Sequence, residues 1–393
     1  MNDYNIIMIR SYKYRIYPTK SQITILNNTF EICRKVYNNT LALRKNAWGC
    51  DHKSLTLFDT HYYLKQWKID QPELKTVYSQ VLQHVQFRVD FAFQAFFRRL
   101  KSGETPGYPR FKGRGRYNSI TYPQWGNGGT KIDSNIILFP KIGQIKTVFH
   151  RPVVGKIKIV SIRRTSTNKW FVSIICDDIP KNILPESQEH VGIDVGLKTF
   201  AMLSNGEFVD NPRFYRQEEK NIKSADKKAS LCKKGSIERK LARRVVARIY
   251  ERISNKREDF VHKFSRSLAN RYGIICFEDL KTSEMIKDNY LSKSIMDAAW
   301  RKLIHHTTYK AEEAGRVVVL VDPKNTSQIC SKCGKIVQKD LYIRIHDCPS
   351  CGLRIDRDLN AAINILRLGL QSLGKPLKAL TYSEGVITGP IAF

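Results

Sequence analysis

QEHVGIDVGLKTFAMLSNGEFVD, residues 188–210, decides the fold. His190 to Val195 is a short apolar run broken by one acid, Asp194. Gly196 follows, then Lys198 to Leu203, then Ser204-Asn205-Gly206, then Glu207 to Val209. An Asn-Gly pair between two β-prone runs favours a tight hairpin, so the stretch predicts strand, turn, strand, hairpin turn, strand. An acid inside an apolar strand is costly to bury unless it is paired, hydrogen-bonded or bound to a metal. Asp194 is therefore either a loop cap at a strand end or a ligand.

Toward the C-terminus, residues 217–271 form a long basic helical region that Gly235 splits. Tyr272 to Phe277 predicts a buried strand, followed by Glu278-Asp279-Leu280. Ser292 or Ser294 can cap a helix running through Ala314, with Gly315 as its C′ residue. Arg316 to Val321 predicts another buried strand, and Asp356 to Leu370 a last helix. Three hairpin-linked strands, then helix, strand, helix, strand, helix, match the ribonuclease H type of α/β fold. That order gathers Asp194, Glu278 and Asp358 at one edge of the sheet. Two Mg²⁺ ions roughly 3.5–4 Å apart can clamp the attacking and leaving oxygens of a phosphodiester. Mg²⁺ prefers carboxylate oxygens, which is what three such acids supply.

Cys330 and Cys333, then fourteen residues (334–347), then Cys348 and Cys351 form two C-x2-C knuckles. The spacing predicts a zinc ribbon with four thiolates, which closes the shell and makes the ion structural. His346 is close by and is expected at the surface, since a fifth ligand is not needed. His305-His306 has no metal partner nearby in sequence and is expected to be structural. Cys33, Cys50, Cys176, Cys232 and Cys276 are scattered, and most read as buried small hydrophobes.

The N-terminal half is of another kind. Ile6 to Ile16 predicts a strand ended by Pro18. Thr19 and Gln22 form a candidate capping box. Ile23, Leu26, Phe30, Cys33, Tyr37 and Leu41 then repeat at helical spacing. Leu55 to Lys68 predicts a second helix and Pro72 to Lys101 a third, with Leu82, Val85, Val89, Phe93, Phe96 and Leu100 on its core face. SGETPGYPRFKGRGRYNSITY, residues 102–122, is a loop in which Arg110, Lys112, Arg114 and Arg116 alternate with Phe111, Tyr117 and glycines. Interleaved cations and aromatics suit a nucleic-acid backbone with stacked bases. Residues 136–176 are β-rich and predict a small barrel or sheet that the first strand joins, with the helices as an insertion. Residues 177–189 predict a linker, and the tail from Lys375 is expected to be loose.

The 393 residues carry 67 Lys and Arg against 36 Asp and Glu, a net charge of +31. Such a surplus, spread along the chain, implies a long polyanion, with nucleic acid the default and an anionic membrane the competitor. Hydrophobic residues make up 42%, which excludes a disordered chain. No apolar run reaches the ~20 residues of a membrane helix, and Met1 to Lys20 lacks the apolar core of a signal peptide. A soluble, intracellular protein of two or three domains is expected.

GIDVGLKTFA, FEDL, DPKNTSQICSKCG, CPSCG and DRDLNAAINIL, with the N-terminal YKYRIYPTKSQ and the basic loop, resemble the TnpB (OrfB) proteins of insertion sequences, relatives of the type V CRISPR effectors. The resemblance covers nearly the whole chain up to about Leu370. It implies a multidomain α+β protein: a ribonuclease H-like (RuvC) nuclease domain over residues 187–325 and 353–372, and a zinc ribbon over 326–352. It also implies a wedge β-barrel over 1–20 and 102–180, a helical recognition domain over 21–101, and a tail over 373–393. It implies an RNA-guided DNA endonuclease with Asp194, Glu278 and Asp358 as the catalytic Mg²⁺ ligands, and Asp279 and Asp356 as bystanders. Its partners would be a guide RNA derived from the element and target DNA. The alternatives are a strand-joining transposase on the same fold and a nuclease-inactive regulator.

Overall fold

The structure is a computed structural model that describes residues 7–126, 129–281, 285, 292–340, 342–375 and 389–391. The chain divides into two compact units, residues 1–180 and 181–393.

In the first unit, strand β1 (Ile7–Tyr17) leads into helix α1 (Lys20–Asp51). The predicted capping box is formed: the Gln22 amide donates to Thr19 Oγ1 at 3.3 Å, and the Thr19 amide donates to Gln22 Oε1 at 3.0 Å. Helix α2 (Leu57–Asp70) and helix α3 (Ser79–Lys101) complete the insertion. The single helix expected from Pro72 is broken. Residues Pro72–Thr76 form a 3-10 turn, and α3 starts only after Val77 and Tyr78 leave helical geometry. Leu82, Val85, Val89 and Phe93 are buried as predicted, but Leu100 is exposed, because the last turn of α3 runs past its core.

Six further strands follow: β2 (Ser119–Tyr122), β3 (Lys131–Asp133), β4 (Ile136–Phe139), β5 (Gly143–Val148), β6 (Lys156–Arg164) and β7 (Trp170–Pro180). They form one sheet in the order β2-β6-β7-β1-β5-β4-β3, so the first strand of the chain is its centre. Alternation explains the core. Tyr12, Tyr14 and Ile16 point one way from β1, are almost wholly buried, and pack with Leu26, Phe30 and Cys33 of α1.

The second unit opens with β8 (His190–Val195), β9 (Thr199–Leu203) and β10 (Glu207–Asp210). Gly206 takes φ +86° in the hairpin turn, a conformation that favours glycine. Helices α4 (Phe214–Leu231) and α5 (Ile237–Arg271) follow, separated at Gly235, with Ser236 capping α5. Then come β11 (Ile274–Glu278), α6 (Ser292–Ala298), α7 (Trp300–Glu313), β12 (Val317–Val321), the hairpin β13 (Ile345–Asp347) and β14 (Arg354–Asp356), and α8 (Arg357–Ser372). The helix expected to run unbroken to Ala314 is interrupted at Ala299, which takes φ 56° between α6 and α7.

The main sheet of this unit runs β12-β11-β8-β9-β10-β15, where β15 is Gly389–Pro390. β8, β9 and β10 are antiparallel, whereas β11 and β12 run parallel to β8. β11 is buried along its length, as predicted. β12 is not, because it is an edge strand with Val317 and Leu320 exposed. The expected loose tail is corrected at its end: Gly389 and Pro390 pair with Glu207 and Phe208 of β10. Residues 376–388 of that tail lie outside the described residues, as does Ile6, where the first strand was expected to begin.

One face of the sheet meets α5 and α7: Val191, Ile193, Ile275 and Phe277 pack with Val261, Phe264, Leu268 and Leu303. The other face meets α8. Gly192 lies directly under that helix, where a Cβ would collide with the carbonyl oxygen of Ala362 and the amide of Leu366. Gly369 of α8 lies as closely over the Cys276 thiol of β11. Two glycines thus set the height of α8 above β8 and β11.

Candidate active site and zinc ribbon

The position of α8 brings the acids together. Along β8, Asp194 is two residues beyond Gly192 and so on the same face, about 6.6 Å further on. Along α8, Asp358 is four residues before Ala362, about one 5.4 Å turn back on the same side. Both steps lead to the same end of the sheet. Met202, the cross-strand partner of Asp194, packs there with Ile355, Leu359 and Ile363. On β11, Ile193 and Phe277 are partners in parallel register, so Asp194 and Glu278 are the next residues along two adjacent strands.

Asp194 feels the other two carboxyls. Burial, then Glu278, then Asp358 hold Asp194 well above the usual carboxylate range. Glu278 is 8% exposed and is raised by burial, against a short hydrogen bond from Thr326 Oγ1 to its Oε1 at 2.5 Å. Asp358 is raised by burial and by Asp356, and drawn back by Arg344, Arg357 and Lys198. Arg344 Nη1 lies 3.6 Å from Asp358 Oδ1. Three partly or wholly buried acids that resist ionisation on their own would be stabilised in their charged forms by a bound cation.

Asp356 has another task. It is the N-cap of α8, and its Oδ1 accepts from the amides of Asp358 at 2.8 Å and Leu359 at 3.1 Å. Leu197, Lys198, Asn211, Arg213, Arg216, Ser294, Asp297 and Arg344 line a pocket of about 740 Å³. Arg344 links it to Asp358, while Arg216 is paired with Glu219 at 3.0 Å. No local sequence pattern marks Thr326, Lys198 or Arg344, since their roles come from contacts across the fold.

The four cysteines converge as expected. Cys330 and Cys351 sulfurs lie 3.6 Å apart, as do those of Cys333 and Cys348. Tetrahedral zinc with Zn–S bonds of about 2.3 Å sets sulfurs roughly 3.8 Å apart. Each knuckle turns on a left-handed glycine. The amide of Gly334 donates to Cys330 O and that of Gly352 to Cys348 O, both at 2.9 Å. The donor set and its spacing fit a structural zinc. The ribbon is bonded to α8: Ser331 N donates to Asn360 Oδ1 at 2.9 Å, and Asn364 Nδ2 donates to Thr326 O at 2.9 Å. His346 is wholly buried, contrary to the surface position expected, because β13 turns it inward against Lys339, whose Nζ meets its Nδ1.

The basic loop belongs to the first unit. Arg110, Arg114 and Arg116 are exposed there, as is Phe111. Lys112 is not equivalent: its backbone is held by Asn38, and its Nζ lies 5.5 Å from the centre of the Tyr37 ring. Tyr117 cannot stack on a base, since it is 6% exposed and hydrogen-bonded by Arg88.

Three family profiles match this chain. One described as "Probable transposase" covers residues 173–289, one described as "Cas12f1-like, TNB domain" covers 300–365, and one described as "Helix-turn-helix domain" covers 8–53. The last span is, in this structure, a strand and one long helix. A protein of Streptomyces pristinaespiralis named "Putative RNA-guided DNA endonuclease" is 34% identical over 92% of this chain and 89% of its own. An Escherichia coli K12 protein of the same description, InsQ, is 28% identical over 94% of this chain and 96% of its own. A solved Cas12f1–sgRNA–target DNA complex aligns at 14% identity and TM-score 0.48, covering 91% of this chain and 98% of that one. The chain belongs to the TnpB (OrfB) family of insertion-sequence proteins.

Proposed function

We propose that this chain is an RNA-guided DNA endonuclease of a transposable element, cutting target DNA next to a short adjacent motif. The observation that carries the proposal is the convergence of Asp194, Glu278 and Asp358 beside a basic pocket. It occurs in a chain similar along most of its length to proteins named as such endonucleases. The second unit is then a ribonuclease H-like (RuvC) nuclease domain carrying the ribbon. The sheet of the first unit is a wedge β-barrel with α1–α3 as its recognition insertion. Base pairing by the guide would read the target, leaving the protein to read duplex shape and the adjacent motif.

Asp194, Glu278 and Asp358 would hold Mg²⁺, their hard oxygens and mutual repulsion fitting a dication better than protons. Bound there, the metal supplies Lewis-acid activation of a water and charge neutralisation at the scissile phosphate. The chain's own residues do the rest. Lys198, Arg213, Arg216 and Arg344 draw the backbone to the acids. Thr326 holds Glu278 in one orientation. In hydrolysis, a water oxygen bonds to phosphorus, one P–O ester bond breaks, and the leaving oxygen takes up a proton.

The description "Probable transposase" favours one second reading, strand joining on the same fold. The test is cleavage of a matched DNA target by purified protein with its co-purified RNA, run beside a strand-transfer assay with element ends. Asp194→Ala, Glu278→Ala and Asp358→Ala should each abolish cutting and leave RNA and target binding intact. Joined products without cleaved ones would favour the transposase. Normal cutting by all three variants would end the nuclease reading.

A further inference from the structure

Away from the acids, α5 and α7 lie side by side, and three ligand-type side chains meet at their contact. Glu258 and His262 are four residues apart on α5 and so share a face. His306 comes from α7. Glu258 Oε1 lies 3.5 Å from His262 Nε2 and 3.3 Å from His306 Nε2. The imidazole centroids are 4.4 Å apart, and the three ligand atoms all lie within 4.8 Å of one another. Four-coordinate zinc with bonds of about 2.0–2.1 Å places its ligand atoms roughly 3.3 Å apart, so the spacing suits one shared ion. Two imidazoles with one carboxylate are ligands for a borderline dication rather than for Mg²⁺.

We propose that Glu258, His262 and His306 form a second metal site of the zinc class, distinct from the ribbon, which ties α5 to α7 and leaves a fourth position open. His305-His306 gave no such sign in sequence because its partners lie more than forty residues away, on another helix. The site is weaker than the ribbon for two reasons. Lys302 Nζ already holds the other oxygen of Glu258 at 2.7 Å. Among the described residues His306 Nδ1 has no hydrogen-bond partner, and such a partner commonly raises metal affinity 10- to 100-fold.

The site is independent of the nuclease reading and stands or falls without a cleavage assay. The experiment loads the full chain with zinc, desalts it, and measures metal by elemental analysis and Tm, with and without graded chelator. The wild type should hold about two zinc ions per chain, the second leaving at far lower chelator than the first. His262→Gln, at an exposed position, and Glu258→Gln should each hold about one and lose the zinc-dependent rise in Tm. Cobalt in the weaker site should absorb without a thiolate charge-transfer band. Wild type holding about one zinc, or His262→Gln keeping about two, would overturn the proposal and leave Glu258 as a hydrogen-bond acceptor for two imidazoles.

Discussion

Thr326 stands 48 residues from Glu278 in sequence and donates to it at 2.5 Å. Thr326→Val keeps the shape and removes the donor. A hydrogen bond to a charged group is worth about 1.5–3 kcal/mol, so single-turnover cleavage should fall roughly ten- to a hundredfold while target affinity holds. An unchanged rate would show that the hydroxyl has no part in aligning Glu278. Asp356 makes a contrasting case. As the N-cap of α8, its change to Ala should cost about 0.5–2 kcal/mol, seen as a lower Tm with cutting retained. Lost cutting at an unchanged Tm would instead put Asp356 among the ligands. The three acids were legible in sequence because each carries a local signal: an acid in an apolar strand, at a strand end, or in the first turn of a helix. Thr326 and the Glu258 cluster were not, since long-range packing alone creates their neighbours.

Between elements, the close approach of α8 to β8 aligns Asp194 with Asp358. Gly192→Ala would press a methyl against the Ala362 carbonyl and should cost about 1–3 kcal/mol, lowering Tm and cleavage together. A variant with wild-type Tm and rate would show that α8 has room to rise. The ribbon braces the same helix through Asn360 and Asn364. Cys348→Ser should therefore release the ribbon zinc and speed amide exchange in the first turns of α8. Unchanged zinc content would refute the ribbon assignment. Periodicity found the long elements but not β3, took β2 for part of a loop and the last four residues of β7 for a linker, and misjudged three further limits. Ala299 and residues 77–78 break helices without a proline or glycine at the break, because tertiary packing sets the turn there. β12 has the composition of a buried strand yet lies at the sheet edge, a matter of strand order that composition does not encode.

For the whole molecule, charge was the plainest signal and the hardest to localise. A surplus of +31 calls for a polyanion, but only the fold separates free cations from those already engaged. In the basic loop, Arg110, Arg114 and Arg116 are exposed, whereas the Lys112 side chain lies along Tyr37 and its backbone is tied to Asn38. The alternation of cations and aromatics made these four look alike, and packing makes them different. RNA binding should weaken with salt along a line whose slope counts neutralised phosphates, about 0.7 for each single-strand contact. Changing Arg110, Arg114 and Arg116 together to Ala should flatten that slope by about 2, whereas Lys112→Ala should leave it nearly unchanged and lower Tm instead. The measurement is RNA affinity over a salt series for each variant. If the triple variant keeps the wild-type slope, this loop does not touch phosphate and the polyanion lies on other cations of the chain. If Lys112→Ala alone flattens the slope, the Tyr37 contact opens when RNA binds.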